Sequence, residues 1–161
     1  MLREGDPAPD FDLPDADMNM VSLASFRNSR NVVLYFYPKD DNPGCTLEAI
    51  EFSDLEDEFT ALDAAVIGVS MDDCLCHASF RDKHGITVQL LADTEGETCA
   101  QYGVLHEKVV EGKTKTCIVR STFVINKDGV LVHVMYGVSA RNHAATVLSL
   151  VRQLKSAATA T

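Results

Sequence analysis

No stretch of this 161-residue chain approaches the roughly 20 consecutive apolar residues that a membrane helix needs. The opening segment, Met1-Leu2-Arg3-Glu4-Gly5-Asp6-Pro7, is polar and carries no apolar signal core, so a cytoplasmic location is expected. Basic residues are scarce: 14 Lys and Arg stand against 24 Asp and Glu, a formal net charge of −10. Nucleic-acid binding wants a basic surface for the phosphates, so that class is set aside. There is no disulfide framework either. Five cysteines at irregular spacing read as thiols kept reduced. The Cys-x-x-Cys dithiol is missing, because the residue three after Cys45 is Glu48. No internal repeat, low-complexity block or linker interrupts the chain. A single domain over 1–161 is therefore expected, with a small, polar tail over 156–161 that should fray.

What is present is a nucleophile in an activating place. Val32 to Tyr37 is an apolar run that reads as a buried strand. A polar turn follows, and then Pro43-Gly44-Cys45, where a helix should begin. Pro43 suits the first helical position, where its missing N–H costs nothing. Gly44 lets the backbone come close to whatever Cys45 touches. Cys45 then falls in the first turn, where unpaired amides and the helix dipole favour an anion and lower a thiol's pKa. The plainer alternative, an inert buried cysteine, fits such a helix start less well.

Around this stretch the pattern predicts an α/β domain with a mixed sheet. Phe11 to Leu13 and Met20 to Leu23 form an N-terminal hairpin, and Ser22 to Arg27 holds one helical turn. One helix runs from Pro43 to about Phe59, with Leu47, Ile50, Leu55 and Phe59 on its apolar face. Ala64 to Val69 is a buried parallel-type strand. A helix capped within Ser70 to Asp73 runs to Lys83 and ends at His84-Gly85. Val88 to Leu91 is a strand, and Thr94 to Tyr102 a short helix. Glu111 to Lys115 is a polar turn between two candidate strands. Asn126-Lys127-Asp128-Gly129 joins the strands Thr122 to Ile125 and Val130 to Val134 as a hairpin. Asn142 caps a closing helix that reaches about Leu154.

Tyr37-Pro38-Lys39-Asp40-Asp41-Asn42-Pro43-Gly44-Cys45-Thr46-Leu47-Glu48-Ala49 resembles the active-site loop of peroxiredoxins of the PrxQ class, also called bacterioferritin comigratory proteins. Gly5 to Phe11, Gly68-Val69-Ser70, Leu90 to Asp93, Arg120 to Ile125 and Asn142-His143 resemble other segments of that family in the same order, so the likeness spans nearly the whole chain. The resemblance implies a thioredoxin fold with an N-terminal β-hairpin extension and thiol-dependent reduction of hydroperoxides. It implies Cys45 as the attacking thiolate, Arg120 as the active-site cation, and Pro38 as a shield for the pocket. On physical grounds the leaving peroxide oxygen needs donors. The amides of Gly44 and Cys45 and the guanidinium of Arg120 are candidates. Thr46 and Glu48 lie close by in the first turns, in supporting positions or as plain caps.

Two departures stand out. The family pattern Pro-x-x-x-Thr/Ser-x-x-Cys has a hydroxyl where this chain has Asn42, whose amide still offers an acceptor and donors. The thiol that many members carry five residues after the first is replaced by Ile50. Other members resolve the oxidised cysteine from the next helix, near the positions of Ala78 or Arg81. Here that helix offers Cys74 and Cys76, with Cys74 favoured because it shares the helical face of Ala78 and Arg81. Cys74-x-Cys76-His77 is also a weak metal pattern, short of the four ligands of a closed site. Cys99 and Cys117 read as structural, and His84, His106, His133 and His143 as satisfied or solvated. No cofactor and no metal are expected. The expected partners are a hydroperoxide and a thioredoxin or glutaredoxin-type reductant, and the resemblance implies a monomer or weak homodimer. A thioredoxin-like disulfide oxidoreductase, a one-cysteine peroxidase and a redox-sensing or holdase module remain as alternatives.

Overall fold

The computed structural model describes residues 2–159, with side chains as far as Leu154. Its centre is β3 (Asn31–Phe36), whose residues from Val32 onward are all buried. Alternation along the strand sends Val33, Tyr35 and Tyr37 to one face and Val32, Leu34 and Phe36 to the other, and each face meets its own apolar cluster. Burial on both faces is why this strand reads as an unbroken apolar run. The main sheet has the order β5-β4-β3-β8-β9, with β4 (Ala64–Ser70) and β5 (Gln89–Ala92) parallel to β3. On the other side β8 (Ser121–Ile125) and β9 (Leu131–Met135) run antiparallel. The mixed sheet expected from the sequence is present.

The N-terminal hairpin is formed by β1 (Asp12–Pro14) and β2 (Met20–Ser22), followed by a 3-10 turn at Leu23–Phe26. Asp15 shapes its turn by accepting from the amides of Asp17 and Asn19. α3 (Cys74–His84) begins on the side chain of Asp73, which accepts from the Cys76 amide, and ends at Gly85 with a left-handed φ of 63°. α4 (Glu97–Gln101) is shorter than its sequence pattern.

Several boundaries differ from expectation, for local reasons. The expected helix from Pro43 to Phe59 divides at Leu55 into α1 (Pro43–Asp54) and α2 (Glu56–Ala61). Glu56, Asp57 and Glu58 would sit against the negative end of a continuous helix, whereas the break puts them in a first turn, where the dipole favours them. The buried face of α1 is Cys45, Glu48, Ala49 and Phe52, while Leu47 is exposed. Phe52 stacks on Tyr35 with ring centroids 4.7 Å apart, and this contact sets the rotation of the helix. Lys113 to Lys115 belong to β7 (Lys113–Ile118) rather than to a turn. They pair with β6 (Leu105–Val110) in a separate two-stranded ribbon, which leaves only Glu111-Gly112 at its tip. α5 (His143–Thr159) runs past Leu154 through part of the expected tail, of which residues 160 and 161 lie outside the described residues. Before it Asn142 takes a φ of 60°, and its amide donates to Glu51.

Gly68 of β4 lies beside Tyr35, and a Cβ there would come within 2.7 Å of the ring and hydroxyl. Tyr35 is fully buried and cannot swing away. Gly68→Ala should therefore destabilise the fold by about 1–3 kcal/mol, despite the usual gain of alanine over glycine in a strand. Urea unfolding measures this, and an unchanged or raised midpoint would show that the Tyr35 packing is loose.

Candidate active site

The pairing of β8 with β3 brings the distant arginine to the cysteine. Ser121 sits opposite Phe36, so Arg120 falls beside the loop that carries the chain from β3 into α1. Its Nη2 donates to Cys45 Sγ at 3.3 Å and its Nη1 to Glu48 Oε1 at 2.7 Å. One planar guanidinium thus bridges two residues three apart on the buried face of α1. Gly44 makes room for it, since a Cβ there would lie 3.1 Å from Nη2. Cys45 is 1% exposed and packs with Tyr35, Tyr37, Ala49 and Phe52.

Asn42 is the N-cap of α1. Its Oδ1 accepts from the amides of Gly44 at 3.0 Å and Cys45 at 3.3 Å, and its carbonyl from Thr46 N at 2.8 Å. The two amides expected to face a leaving peroxide oxygen are thus engaged by this cap, and the side-chain donor at the sulfur is Arg120. Pro38 stands exposed in the loop, and Cys45 beneath is buried in the apolar cluster. Thr46 is half-buried, and Glu48 is fully buried as the ion-pair partner of Arg120 rather than an exposed cap.

Charge at this site is finely balanced. Burial pushes the Cys45 thiol up, against the opposing pull of a backbone hydrogen bond at Lys39 and of the Arg120 guanidinium. The lowering expected from a helix start alone is therefore outweighed by desolvation in this closed arrangement. Burial likewise raises Glu48 from 4.5 to about 7, with Arg120 pulling it back. Glu48 Oε2 and the Tyr35 hydroxyl are both buried without a partner among the described residues. His143 is held neutral, lowered to about 4 by burial and then by Arg120, and its Nε2 lies 2.7 Å from the Thr122 hydroxyl.

The two further candidate thiols point in different directions. Cys76 is exposed and lines a depression of about 340 Å³ together with Lys39, Asp40, Asp41, Leu75 and Phe80, so it faces the loop that leads to Cys45. Its thiol is raised by a hydrogen bond to Asp73, then by slight burial and the charges of Asp73, Asp72 and Asp40. Cys74 is half-buried and feels Asp73 and Asp15, the latter in the N-terminal hairpin. Arg81, on the same face, bonds Asp17 of that hairpin. The helical face of Cys74 and Arg81 therefore looks toward the hairpin, and Cys76 toward residues 39–41. Cys99 is buried, its amide bonded to Asp93, and Cys117 lies opposite His106 in the β6–β7 ribbon.

His77 has no capacity left for a metal. Its Nδ1 is 2.7 Å from Asp40 Oδ2 and its Nε2 is 2.9 Å from the Leu91 carbonyl. Asp40 also accepts from the Tyr37 hydroxyl at 2.6 Å. This buried trio is absent from the sequence expectations. The spacing of His77 and Phe80, the two buried residues of α3, is the one signal that marks His77 as inward-facing.

The sequence model of the AhpC/TSA family matches residues 4–134. A Mycobacterium tuberculosis protein named as a peroxiredoxin is 45% identical over 144 residues, covering 89% of this chain and 91% of that one. A structure of the bacterioferritin comigratory protein of Xanthomonas campestris, concerned with its alkyl peroxide reduction activity, superimposes with a TM-score of 0.85 at 32% identity, covering 90% of this chain and 92% of that one. A cysteine-to-serine mutant of Xylella fastidiosa PrxQ superimposes with a TM-score of 0.89 at 31% identity, covering 95% and 97%. The fold is the thioredoxin-like fold of these structures.

The raised Glu48 makes a prediction about stability. Between pH 4.5 and about 7 the folded state holds a proton on Glu48 that the unfolded state has released, so stability must fall as pH rises through that window. The loss is on the order of 3 kcal/mol. Glu48→Gln keeps an acceptor for Arg120 but cannot titrate. Urea midpoints should show the wild type losing stability relative to Glu48→Gln as pH rises from 4.5 to 7.5. Parallel pH profiles would place Glu48 outside this balance.

Proposed function

The chain belongs to the AhpC/TSA family, in its bacterioferritin comigratory or PrxQ class, and from that premise we propose that Cys45 attacks alkyl hydroperoxides and hydrogen peroxide and is resolved by Cys76. The protein is a thiol peroxidase, one that uses a hydroperoxide and a thiol reductant. The observation that carries the assignment of roles is the 3.3 Å contact between Arg120 Nη2 and Cys45 Sγ at the start of α1. A guanidinium there stabilises the thiolate before attack and meets the charge that develops on the leaving oxygen.

The thiolate of Cys45 forms an S–O bond to one peroxide oxygen as the O–O bond breaks. The other oxygen leaves as alkoxide or hydroxide and takes up a proton, giving alcohol or water and a Cys45 sulfenic acid. The Cys76 thiol then displaces water from that sulfur and forms the disulfide. A dithiol reductant of the thioredoxin or glutaredoxin type returns both cysteines to thiols. Asn42 holds the first turn of α1, and with it the direction of Cys45. Cys76 is supported over Cys74 by its place in the depression beside residues 39–41. The carboxylates around Cys76, Asp73 first, disfavour its thiolate. No helix among the described residues is long and apolar enough to cross a membrane. A cytoplasmic location and a monomer or weak homodimer are proposed on the likeness to the PrxQ class alone.

Peptide mapping under non-reducing conditions, after one equivalent of an alkyl hydroperoxide, tests this reading. It should find a Cys45–Cys76 link. Cys76→Ser should lose that link and about tenfold or more of the thioredoxin-driven turnover, while Cys74→Ser keeps both. A Cys45–Cys74 link would transfer the resolving role. A wild type that accumulates Cys45 sulfinate without any link would end the two-cysteine mechanism.

A further inference from the structure

Cys45 is 1% exposed, whereas Cys76 is exposed in the depression bordered by Lys39, Asp40 and Asp41, so a disulfide between them requires a buried sulfur and a surface one to be brought together. What holds the loop 39–42 in place is a small set of contacts. Asp41 pairs with Lys83 and His84 on the exposed surface, where ion pairs contribute little. The Asp40 amide donates to Asp72 Oδ2 at 2.8 Å. A further and buried tie is the pair between Asp40 and His77, with His77 fully buried and Asp40 8% exposed.

Hydrogen-bond valence defines that pair. The Leu91 carbonyl only accepts, so Nε2 of His77 carries a proton and donates to it. Nδ1 then faces Asp40 Oδ2 at 2.7 Å with one proton held between them, while Tyr37 donates to Oδ1. The polar groups that face the imidazole are therefore Asp40 from the loop, Tyr37 from the end of β3, the Leu91 carbonyl of β5 and, on its own helix, the capping Asp73. Three separate elements are tied to the helix that carries Cys76, at the residue immediately after it. A buried hydrogen bond of this kind is costly to break one-sidedly, because the atom left behind loses its partner where water does not replace it.

We propose that the buried Asp40–His77 pair is a latch that holds the Cys45 loop folded against α3, and that it opens before Cys76 reaches the Cys45 sulfenic acid. His77 is thus a positioning residue that touches neither peroxide nor reacting sulfur. The latch keeps Cys45 in the Arg120 pocket for the peroxide step and slows the resolving step, so it sets the time during which a second peroxide can overoxidise Cys45. The second half of this proposal rests on Cys76 as the resolving thiol. The first half does not.

Two measurements on the full chain separate these parts. The first is amide hydrogen exchange of residues 39–49 in the reduced protein, which involves no disulfide. The second is rapid quenching after tert-butyl hydroperoxide, with mass detection of Cys45 thiol, sulfenic acid, sulfinic acid and disulfide. The chain has no tryptophan, so a mass readout replaces intrinsic tryptophan fluorescence. His77→Phe removes the latch. Asp40→Asn keeps a neutral hydrogen bond to Nδ1 and serves where the larger change prevents folding. In His77→Phe, exchange over 39–49 should rise about tenfold or more, with Asp40→Asn intermediate. Sulfenic acid formation should slow, disulfide formation should quicken, and the sulfinic fraction at high peroxide should drop. A merely structural role would slow both chemical steps together. Exchange over 39–49 as slow in both variants as in the wild type would overturn the latch. Faster exchange without a Cys45–Cys76 link in any form would support the latch and remove Cys76 as its beneficiary.

Discussion

One guanidinium, held between Cys45 Sγ and Glu48 Oε1, is the contact on which the site depends. Arg120 comes from the start of β8, and both of its partners from α1, more than 70 residues earlier in the chain. The contact exists only because β8 pairs with β3 in the register that sets Ser121 opposite Phe36. A slip of one residue would turn every side chain of β8 to the opposite face and carry Arg120 away from the loop. The sheet register, the Pro-Gly start of α1 and the absence of a Cβ at Gly44 all converge on a single approach of 3.3 Å between Nη2 and Sγ.

That convergence is needed because burial and reactivity pull against each other. A dry pocket protects the oxidised sulfur and strengthens every charge interaction within it, yet it also raises the thiol and the neighbouring carboxylate. Glu48 shares the cation with Cys45. When Glu48 is ionised it neutralises Arg120, and when it is protonated it leaves the guanidinium to the sulfur. Asn42 works at the other end of the helix turn by satisfying amides that would otherwise be orphaned. The loop therefore has a firm floor in Arg120, a firm cap in Asn42 and a tie to α3 through Asp40 and His77.

Much of this was legible in the sequence, and the pieces that were not have a common cause. The strand at Val32, the helix start at Pro43-Gly44-Cys45, the Gly85 stop and the Asn126 hairpin are local signals, set by alternation, caps and turn chemistry. Arg120 could be singled out only through the family pattern, since nothing local distinguishes it from a solvated arginine. The division at Leu55 was readable in principle from three consecutive acids, but the apolar spacing of Leu47, Ile50 and Leu55 pointed to one continuous helix. Helical periodicity also ranked Cys74 over Cys76. Which face of α3 looks toward the loop is decided by the packing of His77 and Phe80 against β3 and β5, and that is tertiary information. Asp40 and His77 look like ordinary loop and helix residues until the fold brings them to 2.7 Å.

The central claim is that Arg120 offsets the cost of ionising a buried Cys45. The direct measurement is the pH titration of the Cys45 thiolate by its ultraviolet absorbance, taken as the difference from a Cys45→Ser background so that the other thiols cancel. With Arg120→Met, Cys45 should titrate at a pH higher by about one unit or more, because an opposite charge at contact distance is lost while burial remains. Titration at the same pH with and without the guanidinium would contradict the account.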